Sequence, residues 1–375
     1  MRNRDKRKKF FSRFGIFVII AVLGLCFLNV MPVIALGELE GYYSYYTDDD
    51  LLTVNTITGR GSLDLLTGTS LSVKYTYETF EKDPPENAMD AVTGATSVSG
   101  GSGGGFEEIR REIIVGITQR FGPNVFGASY FYGKEPDYTS NALSLSASRE
   151  FFEKNLTLSL QYDHSFDLID PVLQDKDTDN LTFVATQILS PKLVASGGYS
   201  FAYVNGYQSS PLRQISIPTS SPGVNILYPE NHPSERNRNT VFLRFLRYFE
   251  TRTSADLNLS YYFDDWEIEA ISTEFRLNQY LTKFLLGRLR YRFYSQTASS
   301  FYQPVYSQRE PLMTADPRLR EFENQTYGVK FVLLFEGLGL SSIGDWSLSA
   351  VYDRYVATND GVKAHIGQAH LNIPF

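Results

Sequence analysis

Beyond its first 37 residues, this 375-residue chain has no apolar run long enough to cross a bilayer as a helix. Cysteine is almost missing. Cys26 is the only one, and it lies inside the leading apolar segment, so a processed chain can build no disulfide and do no thiol chemistry. Leu25 before it is bulky where a lipidation site would carry a small residue. With four histidines and no second cysteine, a transition-metal cluster is excluded. Basic residues are also in deficit once the leader is set aside. Taking the seven basic residues and one acidic residue of 1–35 from 35 and 42 leaves 28 against 41, a balance of −13. Nucleic acid is therefore not expected as a partner, because phosphate binding needs a basic surface.

The leader itself is legible. Arg2, Arg4, Lys6, Arg7, Lys8, Lys9 and Arg13 precede an apolar run from Phe14 to about Ile34, and Val33-Ile34-Ala35 supplies small residues at the expected spacing. This describes a secretory signal peptide over 1–35 cleaved near Ala35, with 36–375 as one exported domain. The alternative is a retained inner-membrane anchor, since the run approaches a spanning length.

What the rest of the chain has is alternation and aromatics. In 156–167, Leu156, Leu158, Leu160 and Tyr162 share one face, opposite Thr157, Ser159, Gln161 and Asp163. In 253–264, Ala255, Leu257, Leu259, Tyr261 and Phe263 oppose Ser254, Asp256, Asn258, Ser260 and Tyr262. In 287–296, Leu289, Tyr291 and Phe293 oppose Arg288, Arg290 and Arg292. A period of two sends one set to lipid and the other to a polar interior. Tyr and Phe crowd the segment ends, at 42–46, 75–80, 130–132 and 291–294, where membrane-interface girdles belong.

Strands are expected near 40–47, 51–66, 70–80, 107–120, 125–133, 141–151, 156–167, 180–190, 193–206, 240–250, 253–264, 267–280, 285–297, 326–337, 345–357 and 362–375. That predicts an all-β, transmembrane antiparallel outer-membrane β-barrel of 16 strands, or 14 if the first two fail. A chain of about 340 residues then has roughly 21 per strand, against the 9–11 a spanning strand needs. Tight turns at 122–124, 152–155, 191–192 and 281–284 fall on the periplasmic side, and the long connections 81–106, 207–239 and 298–325 on the outside. At the end of the chain Ala369, Leu371, Ile373 and Phe375 share a face, similar to the signal read by the barrel-assembly machinery, although Pro374 departs from the usual pattern.

Four segments, 90–97 (DAVTGATS), 232–238 (HPSERNR), 261–274 (YYFDDWEIEAISTE) and 290–302 (RYRFYSQTASSFY), together resemble an uncharacterised family of bacterial outer-membrane barrels. The resemblance implies fold and an outer-membrane location in contact with lipid, and little biochemistry. Within it, Asp90-Ala-Val-Thr93-Gly94-Ala95-Thr96 is similar to the acceptor motif of proteins that carry covalent FMN on threonine. That likeness implies Thr96 as the acceptor, with Asp90, Thr93, Gly94 and Ala95 shaping the site a flavin transferase reads. Small neighbours suit the approach of a phosphate. Strand parity puts the motif on the extracellular side, whereas such transferases work in the periplasm, and a plain polar turn leading into the glycine run 100–105 stands as the other reading.

Arg288, Arg290 and Arg292 form a positive ladder along one wall, with Glu274 and Arg276 of matching parity across the 281–284 turn. Glu274–Arg292 is the expected pair. The ladder reads either as an anion filter or as an internal network that stiffens the barrel, which His232–Arg238 would extend by folding inward. Asp264 and Asp265 are too few for a cation site. An enzymatic role would rest on Asp163-His164-Ser165, whose alternation puts His164 on the opposite face from its neighbours; His365 and His370 also have opposite parity. Three roles follow as expectations: an accessory barrel of an envelope redox system, a passive or anion-selective pore, and, least supported, an enzyme.

Overall fold

The alternating segments do form strands. The computed structural model describes residues 36–49, 52–65, 68–82, 106–170, 172–211, 213–221, 223–339, 345–358 and 361–375. The leader with Cys26 and the segment 90–97 with Thr96 lie outside the described residues.

The first half of the barrel is built from β1 (Leu36–Asp48), β2 (Leu52–Leu65), β3 (Thr69–Lys82), β4 (Phe106–Phe121), β5 (Asn124–Lys134), β6 (Tyr138–Phe151), β7 (Leu156–Ile169) and β8 (Gln174–Ser190). Then come β9 (Leu193–Gly206) and two short strands, β10 (Gln214–Pro218) and β11 (Asn225–Pro229). The chain continues through β12 (Glu235–Phe249), β13 (Thr253–Asp264), β14 (Glu269–Tyr280) and β15 (Leu285–Gln296), and ends with β16 (Phe322–Leu334), β17 (Ser347–Ala357) and β18 (Lys363–Pro374). Sixteen strands close one antiparallel ring in chain order, with β9 beside β12 and β18 beside β1, while β10 and β11 pair only with each other. All sixteen expected strands, including the first two, are present with ends shifted by a few residues.

Burial in this fold is inverted relative to a soluble sandwich. Val73, Tyr75, Val115, Leu145 and Leu289 are exposed, whereas Thr58, Asp256, Ser349 and Asp353 are buried. The outward face is apolar because hydrocarbon, not water, is its solvent, and the closed sheet lets the strands pair their N–H and C=O groups with one another. Outward aromatics gather at both rims: Tyr132, Phe166 and Phe263 at one end, Phe121, Phe126 and Phe249 at the other.

The connections sort by side. The β4–β5 turn is Gly122-Pro123, with Phe121 opposite Asn124. Gly122 has φ +57°, and proline fixes the next φ negative, which is the two-residue hairpin pattern that matches strand twist. The connections 207–234 and 297–321 lie at the end opposite Leu36 and Phe375, as do the β3 end at Lys82 and the β4 start at Phe106. Not every connection on the terminal side is tight, since 335–346 carries a short 3₁₀ turn at Glu336–Leu338. The ring closes where the termini meet: the Gly37 and Phe375 amides each donate to the other's carbonyl, at 2.7 and 2.9 Å.

The connections 207–234 and 297–321 fold on each other. Ile215 and Ile217 of β10 pack on Tyr306 and Met313, and Asn231 pairs with Met313 through the backbone. A second apolar cluster, Trp266, Ile268, Phe301 and Leu319, ties 297–321 to the β13–β14 turn. Ion pairs knit this lid further. Arg213 lies 2.6 Å from Asp316, and Glu230 accepts from the Thr314 hydroxyl and the Ala315 amide, both at 3.0 Å.

Candidate functional site

Alternation aims Arg288, Arg290 and Arg292 of β15 into the lumen, because Leu289 and Tyr291 between them face out. Glu274 stands directly opposite Arg292 in the ladder, as expected. Its carboxylate goes elsewhere. Oε1 accepts from Arg276 Nε at 2.5 Å, and Oε2 from Arg290 Nε and Nη2 at 2.9 and 2.8 Å. The reason is electrostatic: Arg276 and Arg290 are direct cross-strand partners, and two like charges so placed need an anion between them. Arg292 instead donates to the Ser272 hydroxyl at 3.2 Å and sits 5.7 Å from the Tyr294 ring centroid.

The network runs further than the ladder suggested. Arg244 on β12 binds Asp256 on β13 with two contacts, 3.0 and 2.8 Å, and Arg276 approaches the same carboxylate at 3.7 Å. At the other end Arg290 Nη1 donates to Asp353 on β17 at 3.1 Å, across the intervening β16. Gly328 of β16 makes that reach possible, since a Cβ there would lie 1.9 Å from Asp353 Oδ1. Arg244, Asp256, Arg276, Glu274, Arg290 and Asp353 thus form one lateral chain of alternating charge.

Three cations on this wall stay outside it. Arg288 has only the Asn278 carbonyl oxygen at 2.5 Å, Arg292 only Ser272, and Lys330 is the direct ladder partner of Arg288. Among the described residues no carboxylate lies within ion-pair distance of any of the three. A cavity of about 390 Å³ opens beside Arg288 and Lys330, with Glu274, Arg276, Arg290 and Asp353 also on its lining. The facing wall is different in kind. β5 lies eight places from β15 around the ring, and β5 to β7 turn Ser129, Ser144, Ser146, Ser148 and Ser159 inward.

His232 and Arg236 do turn inward but form their own cluster at the outer rim. Arg236 donates twice to Asp264 Oδ2, at 2.9 and 2.5 Å, and lies 4.0 Å from the Trp266 ring centroid. Asp264 Oδ1 holds the Trp266 and Ile268 amides, and Asp265 holds Asn237. These carboxylates therefore close a turn. The Asp163-His164-Ser165 group does not converge: His164 points outward to Asp179 at 2.7 Å, while Asp163 faces inward and accepts from Ser144 and Asn180. His370 is lumenal and stacks on Tyr42, and His365 is outside beside Tyr352.

A closed sixteen-strand antiparallel cylinder with an apolar outer wall and a charged lumen defines an outer-membrane β-barrel of porin-like architecture. The chain belongs to the family described as "Protein of unknown function (DUF3570)", which matches residues 46–176 and 173–372. Among solved structures it is similar to a bacterial polysaccharide outer membrane secretin, with TM-score 0.52 and 11% identity over 92% of this chain and 100% of that one. Outer membrane protein OpdK from Pseudomonas aeruginosa aligns with TM-score 0.47 and 9% identity, covering 91% and 98%. A BenF-like porin from Pseudomonas fluorescens Pf-5 aligns with TM-score 0.46 and 9% identity, also covering 91% and 98%. At these identities the likeness is one of fold. No curated protein matches the sequence.

Proposed function

We propose that this chain is a passive, anion-favouring channel of a Gram-negative outer membrane, exported through the 1–35 leader and inserted by the barrel-assembly machinery. The observation that carries the reading is the uncompensated charge on one lumenal wall, where Arg288, Arg292 and Lys330 have no carboxylate partner among the described residues. Rings or walls of cationic side chains select anions in pores, and barrels of 16–18 strands leave room for a water-filled path. The paired chain from Arg244 to Asp353 stiffens the same wall without adding net charge.

In a planar bilayer under a KCl gradient the channel is expected to pass chloride over potassium. The combined variant Arg288→Gln/Arg292→Gln/Lys330→Gln should bring the reversal potential close to zero. Absence of current, or a reversal potential the variant leaves in place, removes the channel or the filter respectively.

A second reading keeps its own support, the Asp90–Thr96 motif. In it the barrel serves an envelope redox system and carries FMN on the Thr96 hydroxyl. Intact mass after co-expression with a flavin transferase tests it: one FMN moiety that disappears in Thr96→Ala is expected, and an unmodified mass ends the reading.

A further inference from the structure

At the outer rim the register sets Arg238 opposite Asp264, yet Asp264 is already committed to Arg236, the Tyr262 hydroxyl at 2.5 Å and two turn amides. Arg238 is left with no ion pair among the described residues, and its Nε is buried without any hydrogen-bond partner. Such a group costs about 1–3 kcal/mol unless something else satisfies it. The guanidinium borders a cavity of about 530 Å³ between the strand tops and the lid residues around Gln208 and Leu319. That size is in the range of small-molecule sites.

The other cations on its lining are neutralised. Lys176 lies 3.2 Å from Asp167, Arg236 holds Asp264, and Arg318 holds Asp316 with a shortest contact of 2.6 Å. Of the acidic groups on the lining, Asp316 is the partner just named and Asp137 belongs to the β5–β6 turn. The aromatic lining is equally specific. Tyr262 donates to Asp264, the Tyr138 hydroxyl accepts from Lys176 at 2.8 Å, Tyr294 donates to Gln296 at 2.7 Å, and the Trp266 indole donates to the Glu235 carbonyl at 3.1 Å. With these polar tips engaged, the cavity offers ring surface, the buried side chains of Ile169, Ile268 and Leu319, the Gln208 amide oxygen, which accepts no hydrogen bond, and the unsatisfied Arg238 guanidinium. A flat apolar body ending in a planar anion matches both halves.

We infer that this cavity is a binding site for a small aromatic carboxylate, with Arg238 pairing the carboxylate in a forked contact and Tyr262 and Tyr294 receiving the ring. It deepens the channel reading by naming the class of anion that docks at the outer mouth. It is nevertheless testable without current. Titration calorimetry of the full barrel in detergent should give saturable one-site binding of benzoate, at least tenfold weaker binding of glucuronate and acetate, and no saturable heat in Arg238→Gln.

Arg238→Lys should bind benzoate more weakly than the parent, because an ammonium cannot make the forked contact, yet more tightly than Arg238→Gln. Tyr294→Leu should weaken benzoate several-fold and leave acetate unchanged. If Arg238→Gln failed to close, the Tyr294→Leu pair of titrations would still decide the matter. Benzoate heat that persists in Arg238→Gln, or glucuronate binding as tight as benzoate, overturns the proposal. If binding is found but no bilayer current, the channel reading fails and the site stands; current without binding does the reverse.

Discussion

Gly328 shows how one side chain governs the lumenal wall. Its missing Cβ lets the Asp353 carboxylate lie over β16 and meet Arg290, and a methyl there would sit 1.9 Å from Oδ1. Gly328→Ala should therefore turn the Asp353 carboxylate away and strand it, since Asp353 is only 4% exposed. The expected cost is about 1–3 kcal/mol for an unsatisfied buried group. The measurement is the urea midpoint at which the folded band is lost on unboiled gels; a midpoint equal to that of the parent refutes the crossing contact. Parity alone located Arg288, Arg290, Arg292 and Glu274 on the lumenal face. It did not locate their partners, because the choice of Arg290 over Arg292 by Glu274 depends on rotamers and on Arg276 facing Arg290. Arg238 escaped for the same reason: nothing in HPSERNR indicates that Asp264 is already taken.

Among the elements, β10 and β11 were the ones missed. Each is five residues long and ends in proline, so neither has the length or the ladder donors of a spanning strand. They exist because Ile215 and Ile217 find Tyr306 and Met313 in a connection some 90 residues later, a contact no local pattern reveals. The lid they form has a definite acid response. Burial pushes the Asp316 carboxyl up, but the hydrogen bonds and charge of Arg318, with Arg213 beside it, more than reverse this and leave it at about 2. A carboxyl depressed in the folded state adds stability that is present above its ordinary value near 4 and lost as pH falls toward about 2. At roughly 1.4 kcal/mol per unit this is on the order of 2 kcal/mol. Hydrogen exchange in 207–234 and 297–321 should therefore accelerate between about pH 4 and pH 2, ahead of the barrel strands. Asp316→Asn should exchange fast at every pH, and an unchanged pH profile in that variant would refute the assignment.

At the scale of the whole molecule, wall and lumen divide the labour. The outer wall decides residence in a membrane, and the transverse contrast between a cationic β14–β16 wall and a serine-rich β5–β7 wall gives the lumen its field. That field is screened by salt. The chloride preference proposed above should accordingly be strong at low ionic strength and fade toward 1 M KCl, where the screening length is about 3 Å. Selectivity that does not change with salt would point to size, not charge.

The amino-acid sequence by itself determined the sixteen barrel strands and their two faces. Each follows from a period of two read against a bilayer, a local rule needing no distant contact. Only the tertiary structure decided which charges cancel, which remain, and how two loops far apart in the chain interlock over a cavity. Those outcomes turn on groups brought together by ring closure, and their free energies depend on distances of a few ångströms that no spacing along the chain encodes.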